Sequence, residues 1–233
     1  MNDSVQLIPL TRLALAFLPV LAVLVIIHRW SLGTRTAVVA VLRMVTQLLL
    51  VGYVLTFIFG SERAMVTLAV VAVMLAVAGW IALRPLGDER AGRYPAVLAA
   101  IGVGALTVLA LVTQGVLGAS PWHDASVVIP LAGMIIANSM NTVSLAAERF
   151  RTERGRGATY PEARHAAMST ALIPMTNSLL AVGLVSLPGM MTGQILSGVP
   201  PLVAVRYQVL VMCMIFGSAG LATSCYLVLQ RPR

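Results

Sequence analysis

Few side chains in this sequence could do chemistry, and most of those are amides. Asn138 and Asn141 stand three residues apart in GMIIANSMNTVSLAAERF, so a helix there presents both on one face. Asn177 follows Pro174 by three residues in a second apolar run, and Gln194 ends the stretch PGMMTGQ. A carboxamide in hydrocarbon must find a partner or line a wet cavity, and its oxygen can replace water around a cation. The plainer reading is interhelical glue, at ~0.6 kcal/mol per hydrogen bond. Arg43 and Gln47 are spaced i, i+4. They read either as an inward-facing guanidinium held by a neighbour or substrate, or as an arginine snorkelling about two turns to the interface. Met134 and Met190 belong to a methionine cluster in the same region. Thioethers are soft ligands that suit Cu(I), and they are also common fillers of irregular gaps between helices. Arg43, Gln47, Met134, Asn138, Asn141, Asn177, Met190 and Gln194 form the candidate pathway.

The groups that are missing are as informative. All eight carboxylates fall in links or at segment ends, so the apolar runs hold no titratable acid of the kind a proton-coupled pump uses. Every one of the sixteen basic residues is an arginine. Without lysine there is no G-x-x-x-x-G-K-[ST] loop to cradle nucleotide phosphates, so the chain is read as a non-enzyme that binds no cofactor of its own. Cys213 and Cys225 share one apolar segment, where twelve helical residues separate them by ~18 Å, too far for a disulfide. The three histidines lie in three separate links, with no zinc spacing.

Those residues need elements to hold them, and composition says which kind. The chain is 59% hydrophobic and 10% charged, with a mean hydropathy of +0.92, far from the balance of a soluble domain. An all-α, polytopic membrane helix bundle is expected, with the whole chain as one permease domain. Seven runs approach the ~20 residues a span needs: 8–27, 37–59, 64–83, 96–117, 126–147, 169–187 and 205–229. Pro19 predicts a kink in the first, and Gly102 and Gly104 predict close packing in the fourth. RPLGDERAGRYP reads as a polar link, and 188–204 as a re-entrant or interfacial piece. Twelve arginines sit in the links after runs one, three and five and in the tail, against Arg12, Arg63 and Arg206 on the other side. That asymmetry predicts an outside N-terminus and a cytoplasmic C-terminus. It also accounts for the charge of +8 without nucleic acid.

The densest charge lies between runs five and six. Run five extends as a charged helix until Gly155 and Gly157 break it. Thr159-Tyr160-Pro161-Glu162 then fits a capping box, with Thr at N-cap, Glu three residues on and Pro in the first turn. A short cytoplasmic helix at about 159–168 follows, leading into run six. It is either a rigid element for a soluble partner to push, through Thr159, Pro161, Glu162 and Arg164, or an amphipathic connector on the headgroups.

The segments GMIIANSMNTVSLAAERF, ALIPMTNSLLAVGLVSLPGMMTGQIL and GVPPLVAVRYQ resemble an uncharacterised-type (UPF0014-like) ABC permease family. It includes the bacterial Fet-type iron-export permease and the plant aluminium-sensitivity permeases. The resemblance spans about Gly133 to Gln208, with the pattern Arg43, Gln47, Leu48 before it; GRGAT stands where the family has LGAT. It implies a permease subunit in the bacterial plasma (inner) membrane, paired with a separate ATP-binding cassette subunit that holds the ATP, as two copies of each. It also implies a metal ion cargo, iron in bacterial members, with a nucleotide sugar as the alternative cargo. From the residues alone, a passive channel or facilitator and a non-transporting scaffold are the other readings.

Overall fold

The computed structural model describes residues 9–60 and 63–231, and they divide into two compact units, Met1–Gly60 and Ser61–Arg233. Unit one is a helical hairpin. Helices α1 (Leu10–Leu15) and α2 (Phe17–Arg29) are nearly continuous, interrupted only at Ala16. The interruption has a local cause. Pro19 has no N–H to give to the carbonyl four residues back, that of Leu15, and its ring crowds that carbonyl. The kink expected from Pro19 therefore appears one turn upstream of it. A turn through Gly33, whose φ of 79° is costly for a residue with a Cβ, leads into α3 (Thr34–Phe59). Ile58 is the one described hydrophobic residue of this unit that is buried. Most of its remaining leucines, valines and aromatics face outward, as suits a surface whose solvent is lipid. The start of the first run at Ile8 and the turn at Ser61 and Glu62 lie outside the described residues.

Unit two is a bundle of long antiparallel helices: α4 (Ala64–Ala82), α5 (Arg90–Ala110), α6 (Ala125–Gly155), α7 (Tyr160–Ala181) and α9 (Pro201–Leu229). Its interior inverts the habit of a soluble core. Ala100, Ala132, Ala146, Ala163, Ala167, Ala171, Ala219 and Ala222 are fully buried, while many large apolar side chains point out. Lipid tails are as apolar as leucine, so burying leucine gains little here. Close backbone approach gains more, and small residues permit it. On α7, Ala163, Ala167 and Ala171 recur every four residues along the packed face. Gly104 of α5 lies so near α9 that a Cβ there would stand 2.7 Å from the Ala222 backbone nitrogen. Gly102, expected to do the same, has nothing within 4 Å of that position.

Three expectations are corrected. RPLGDERAGRYP is not a loop: Arg84–Glu89 forms a 3-10 turn through Gly87 (φ 56°), and α5 begins at Arg90 with Pro95 inside it. Run six is not a separate span at 169–187, because α7 is one unbroken helix from Tyr160 that ends at Ala181. The expected short helix at 159–168 is simply its first turns. The boundary expected near Ser169 followed the change from charged to apolar residues, and the helix runs straight through it, carrying Pro174 as well. Finally, six described helices are long and apolar enough to cross a membrane, where seven runs were counted. α7 is not among them: at 22 residues it is long enough, ~33 Å. It is too polar along its length, carrying Glu162, Arg164, His165, Ser169, Thr170, Thr176, Asn177 and Ser178. The stretch after it folds as a short helix, α8 (Gly189–Leu196), and a turn through Gly198 into Pro200.

Candidate functional site

Antiparallel packing gathers charged segments from five elements at one end of unit two. Arg93 forms an ion pair with Glu89 at 2.8 Å and donates to the Gln230 side-chain oxygen beyond the end of α9. Arg90 lies 3.7 Å over the Trp80 ring and donates through Nε to the Trp80 carbonyl at 2.9 Å. That caps the end of α4, whose last carbonyls lack partners in their own helix. Arg151 donates to the Leu86 carbonyl at 3.1 Å, tying α6 to the 3-10 turn. Arg149 and Arg156 flank Glu153 at 2.9 and 3.4 Å.

The start of α7 is built into this end. Gly157, at φ 88°, lets the chain reverse after α6. The Glu162 carboxylate then accepts from the Thr159 backbone N–H at 2.8 Å and from its hydroxyl at 2.7 Å. These two donors hold the Glu162 carboxyl below its ordinary value, the hydroxyl contributing most. Pro161 occupies the first turn, where no N–H is required. The Tyr160 hydroxyl donates to the Leu227 carbonyl at 2.9 Å, and its ring meets Phe150 edge-on at 6.0 Å. Arg164 sits over the other side of that ring, 5.6 Å from its centre. The first turn of α7 is thus clamped to the ends of α6 and α9, while Pro161, Glu162 and Arg164 remain exposed.

From this clamp α7 runs the length of the bundle with two unlike faces. Its alanines pack inward, and Glu162, His165, Ser169, Thr176 and Asn177 form an uncovered stripe at helical spacing. Asn177 lines a cavity of about 420 Å³ with Ser178, Ala181, Ser186, Pro188 and Met212. Asn138 is half-buried and spends its amide on its own helix, Nδ2 donating to the Met134 carbonyl at 2.8 Å. Asn141 is exposed on α6. The structure therefore separates amides that the sequence grouped: Asn138 is held locally, while Asn141 and Asn177 are open.

Met134 of α6 and Met190 of α8, fifty-six positions apart, line one cavity. Gln194 is half-buried, and its Oε1 has no described hydrogen-bond partner. Arg43 and Gln47 belong to unit one, where both are exposed. With the Gln47 amide oxygen turned to the guanidinium, it accepts from Arg43 Nε at 3.0 Å. Sequence reasoning missed Gln208. It is 6% exposed on α9, and its Oε1 likewise has no described partner. Its place at the end of the motif AVRYQ, near the start of the last run, was the available signal. No described group of three His, Cys, Asp or Glu could hold a metal ion.

The model of the Uncharacterised protein family (UPF0014) matches residues 10–233. The chain is 34% identical to the "Probable iron export permease protein FetB" of Escherichia coli, over 94% of this chain and 90% of that one. It is 35% identical to the "UPF0014 membrane protein YjkA" of Bacillus subtilis, over 94% and 93%. With "Protein ALUMINUM SENSITIVE 3" of Arabidopsis thaliana it shares 30% identity, over 92% and 84%. No solved structure matches.

Proposed function

The chain belongs to the UPF0014 family of multi-pass membrane proteins, and on that premise we propose that it is the permease subunit of an ATP-binding-cassette exporter for a metal ion. Iron is the first candidate cargo, from the name of the Escherichia coli relative. ATP is hydrolysed on a separate cassette subunit, two copies of each chain make the transporter, and the arginine-rich end faces the cytoplasm. A lysine-free chain has no P-loop of its own, so an energy source outside it is required for active transport.

One observation carries the reading: the exposed, capped first turn and the open amide Asn177 lie on the same continuous helix. Fifteen residues separate Glu162 from Asn177, ~22 Å at 1.5 Å per residue. A cassette that grips Pro161, Glu162 and Arg164 would move the polar stripe directly, without an intervening loop to absorb the motion. Carboxamide and hydroxyl oxygens on that stripe replace part of a cation's water shell during passage, and a weak, carboxylate-free path suits release better than storage.

The test is ATP-driven iron efflux in proteoliposomes holding the chain and its cassette partner. Replacing both Glu162 and Arg164 by alanine is expected to cut efflux about tenfold or more while the cassette still hydrolyses ATP, and Asn177→Leu is expected to cut efflux with the complex intact. Iron flux through the chain alone, without cassette or ATP, refutes the reading.

A further inference from the structure

At the end of unit two opposite the arginine network is a cavity lined in part by Met134 and Met190 and set apart from the polar stripe of α7. It measures about 490 Å³ and lies where Leu117, at the end of α5's π-helical extension, meets the first turns of α6, α8 and α9. Val127, Leu131, Leu210 and Val211 supply apolar walls. A second cavity of about 150 Å³ shares Leu117, Tyr207 and Leu210 with it and adds Arg206. Three residues line both, so the two adjoin and make one cleft region: an apolar body with a guanidinium beside it.

Two further observations bear on what fits there. Arg206 is exposed, and no described carboxylate pairs with it. It stands five residues into α9, ~7.5 Å from Pro201 along the axis, a depth from which arginine reaches the headgroup layer. The wall also departs from regular helix. Residues Leu111–Val116 wind as a π-helix, a rare geometry often found at functional sites, and it delivers Val116 and Leu117 to the cleft.

The lining offers no carboxylate, imidazole or thiolate, and its soft donors are the two thioethers of Met134 and Met190, a poor set for a hard, hydrated cation. It calls instead for a long apolar group carrying an anion at one end. The volume falls within the range of ligand pockets, and a guanidinium matches a phosphate with two parallel hydrogen bonds. We propose that this cleft binds one anionic phospholipid of the bilayer, with an acyl chain in the larger cavity and its phosphate on Arg206. The proposal is independent of the cargo and of the cassette partner, so it stands or falls separately from them.

Native mass spectrometry of the full chain, released from nanodiscs of equal phosphatidylglycerol and phosphatidylcholine, tests it. One phosphatidylglycerol is expected to stay bound per chain, preferred about fivefold over phosphatidylcholine, the factor one arginine near the surface supplies. Arg206→Gln should bring that preference to parity while a lipid is still retained. Val127→Trp, which fills the apolar body, should remove the retained lipid in chain whose thermal transition is unchanged. Should Val127→Trp fail to fold, Arg206→Gln decides alone. Equal retention of both lipids by the unaltered chain overturns the proposal. So does a preference that survives Arg206→Gln, displacement by inorganic phosphate without a tail, or a second copy of the chain found cross-linked across Leu131.

Discussion

Gly104→Ala isolates the term that holds this bundle together. The added Cβ would lie 2.7 Å from the Ala222 nitrogen and 2.9 Å from its Cα and Cβ. Comfortable separations for such atoms are ~3.5–4.0 Å, so α5 and α9 must part by close to an ångström. The obstacle is backbone, which no rotamer change can clear. Overpacking of this kind costs ~1–3 kcal/mol. Against it stands a gain: glycine inside a helix is ~0.5–1 kcal/mol worse than alanine. The net cost of Gly104→Ala alone is therefore about 0–2.5 kcal/mol, and Gly102 supplies the reference that removes the helix term. It lies in the same helix, two residues away, with nothing within 4 Å of its Cβ position. Gly102→Ala collects the helix gain without the clash. The difference between the two variants, read as detergent-solubilised unfolding free energy, is expected to be ~1–3 kcal/mol with Gly104→Ala the less stable. Equal stabilities, or Gly104→Ala the more stable, would refute the claim that α5 and α9 meet backbone to backbone at this point.

The Glu162 carboxyl is held below its ordinary value in the folded chain, so its contribution is complete above the unfolded value, ~4.3, and fades as pH falls through the folded one. Protection factors for hydrogen exchange at Glu162 and Ala163, taken against the intrinsic rate at each pH, should fall as the pH is lowered through that window, and Glu162→Gln should flatten the dependence. Tyr160→Phe keeps the ring against Phe150 and leaves the Leu227 carbonyl with only the Gln230 N–H, at 3.2 Å. A loss of ~1 kcal/mol in unfolding free energy is expected, with no change in helix content by circular dichroism. Pro174→Ala restores the N–H that the Thr170 carbonyl lacks, so it should raise thermal stability; if transport needs α7 to move as one body, efflux in proteoliposomes should be unchanged.

What the sequence made legible was what local chemistry dictates. The break after α6 at Gly155–Gly157 and the Thr159–Glu162 geometry depend on neighbours within four residues, and both could be read from spacing. The helical character of the apolar runs follows from length and hydropathy. Less legible were features that depend on distant partners. Arg84–Pro95 looks like a loop because it is charged and holds two prolines. It is helical because Arg90 caps α4 through Trp80, and Arg151, sixty-five residues on, holds the Leu86 carbonyl. The same holds for the glycines: Gly102 and Gly104 are indistinguishable in sequence, and only the position of Ala222 separates them. Among the candidate site residues, the helical spacing of the amides was legible and their hydrogen bonding was not. Asn138 and Asn141 share a helix, yet the Met134 carbonyl satisfies one while the other stays open.

α7 shows why span counting and function diverge here. Inside a bilayer a backbone N–H has no water to turn to, so a helix persists through residues that would break it in solution. Pro174 removes one hydrogen bond, yet the Ser178 hydroxyl bonds back to the Pro174 carbonyl and the helix continues to Ala181. That persistence allows a segment with too many hydroxyls and amides to count as a lipid-facing span. A helix of that composition is stable in a membrane only if its polar stripe meets protein, water or cargo instead of lipid. Its inward alanines are spoken for by α6 and α9, so the stripe from Glu162 to Asn177 is the surface that remains to be met. The polarity that disqualifies α7 as an ordinary span is thus the physical reason its outer stripe calls for a polar surface beside it.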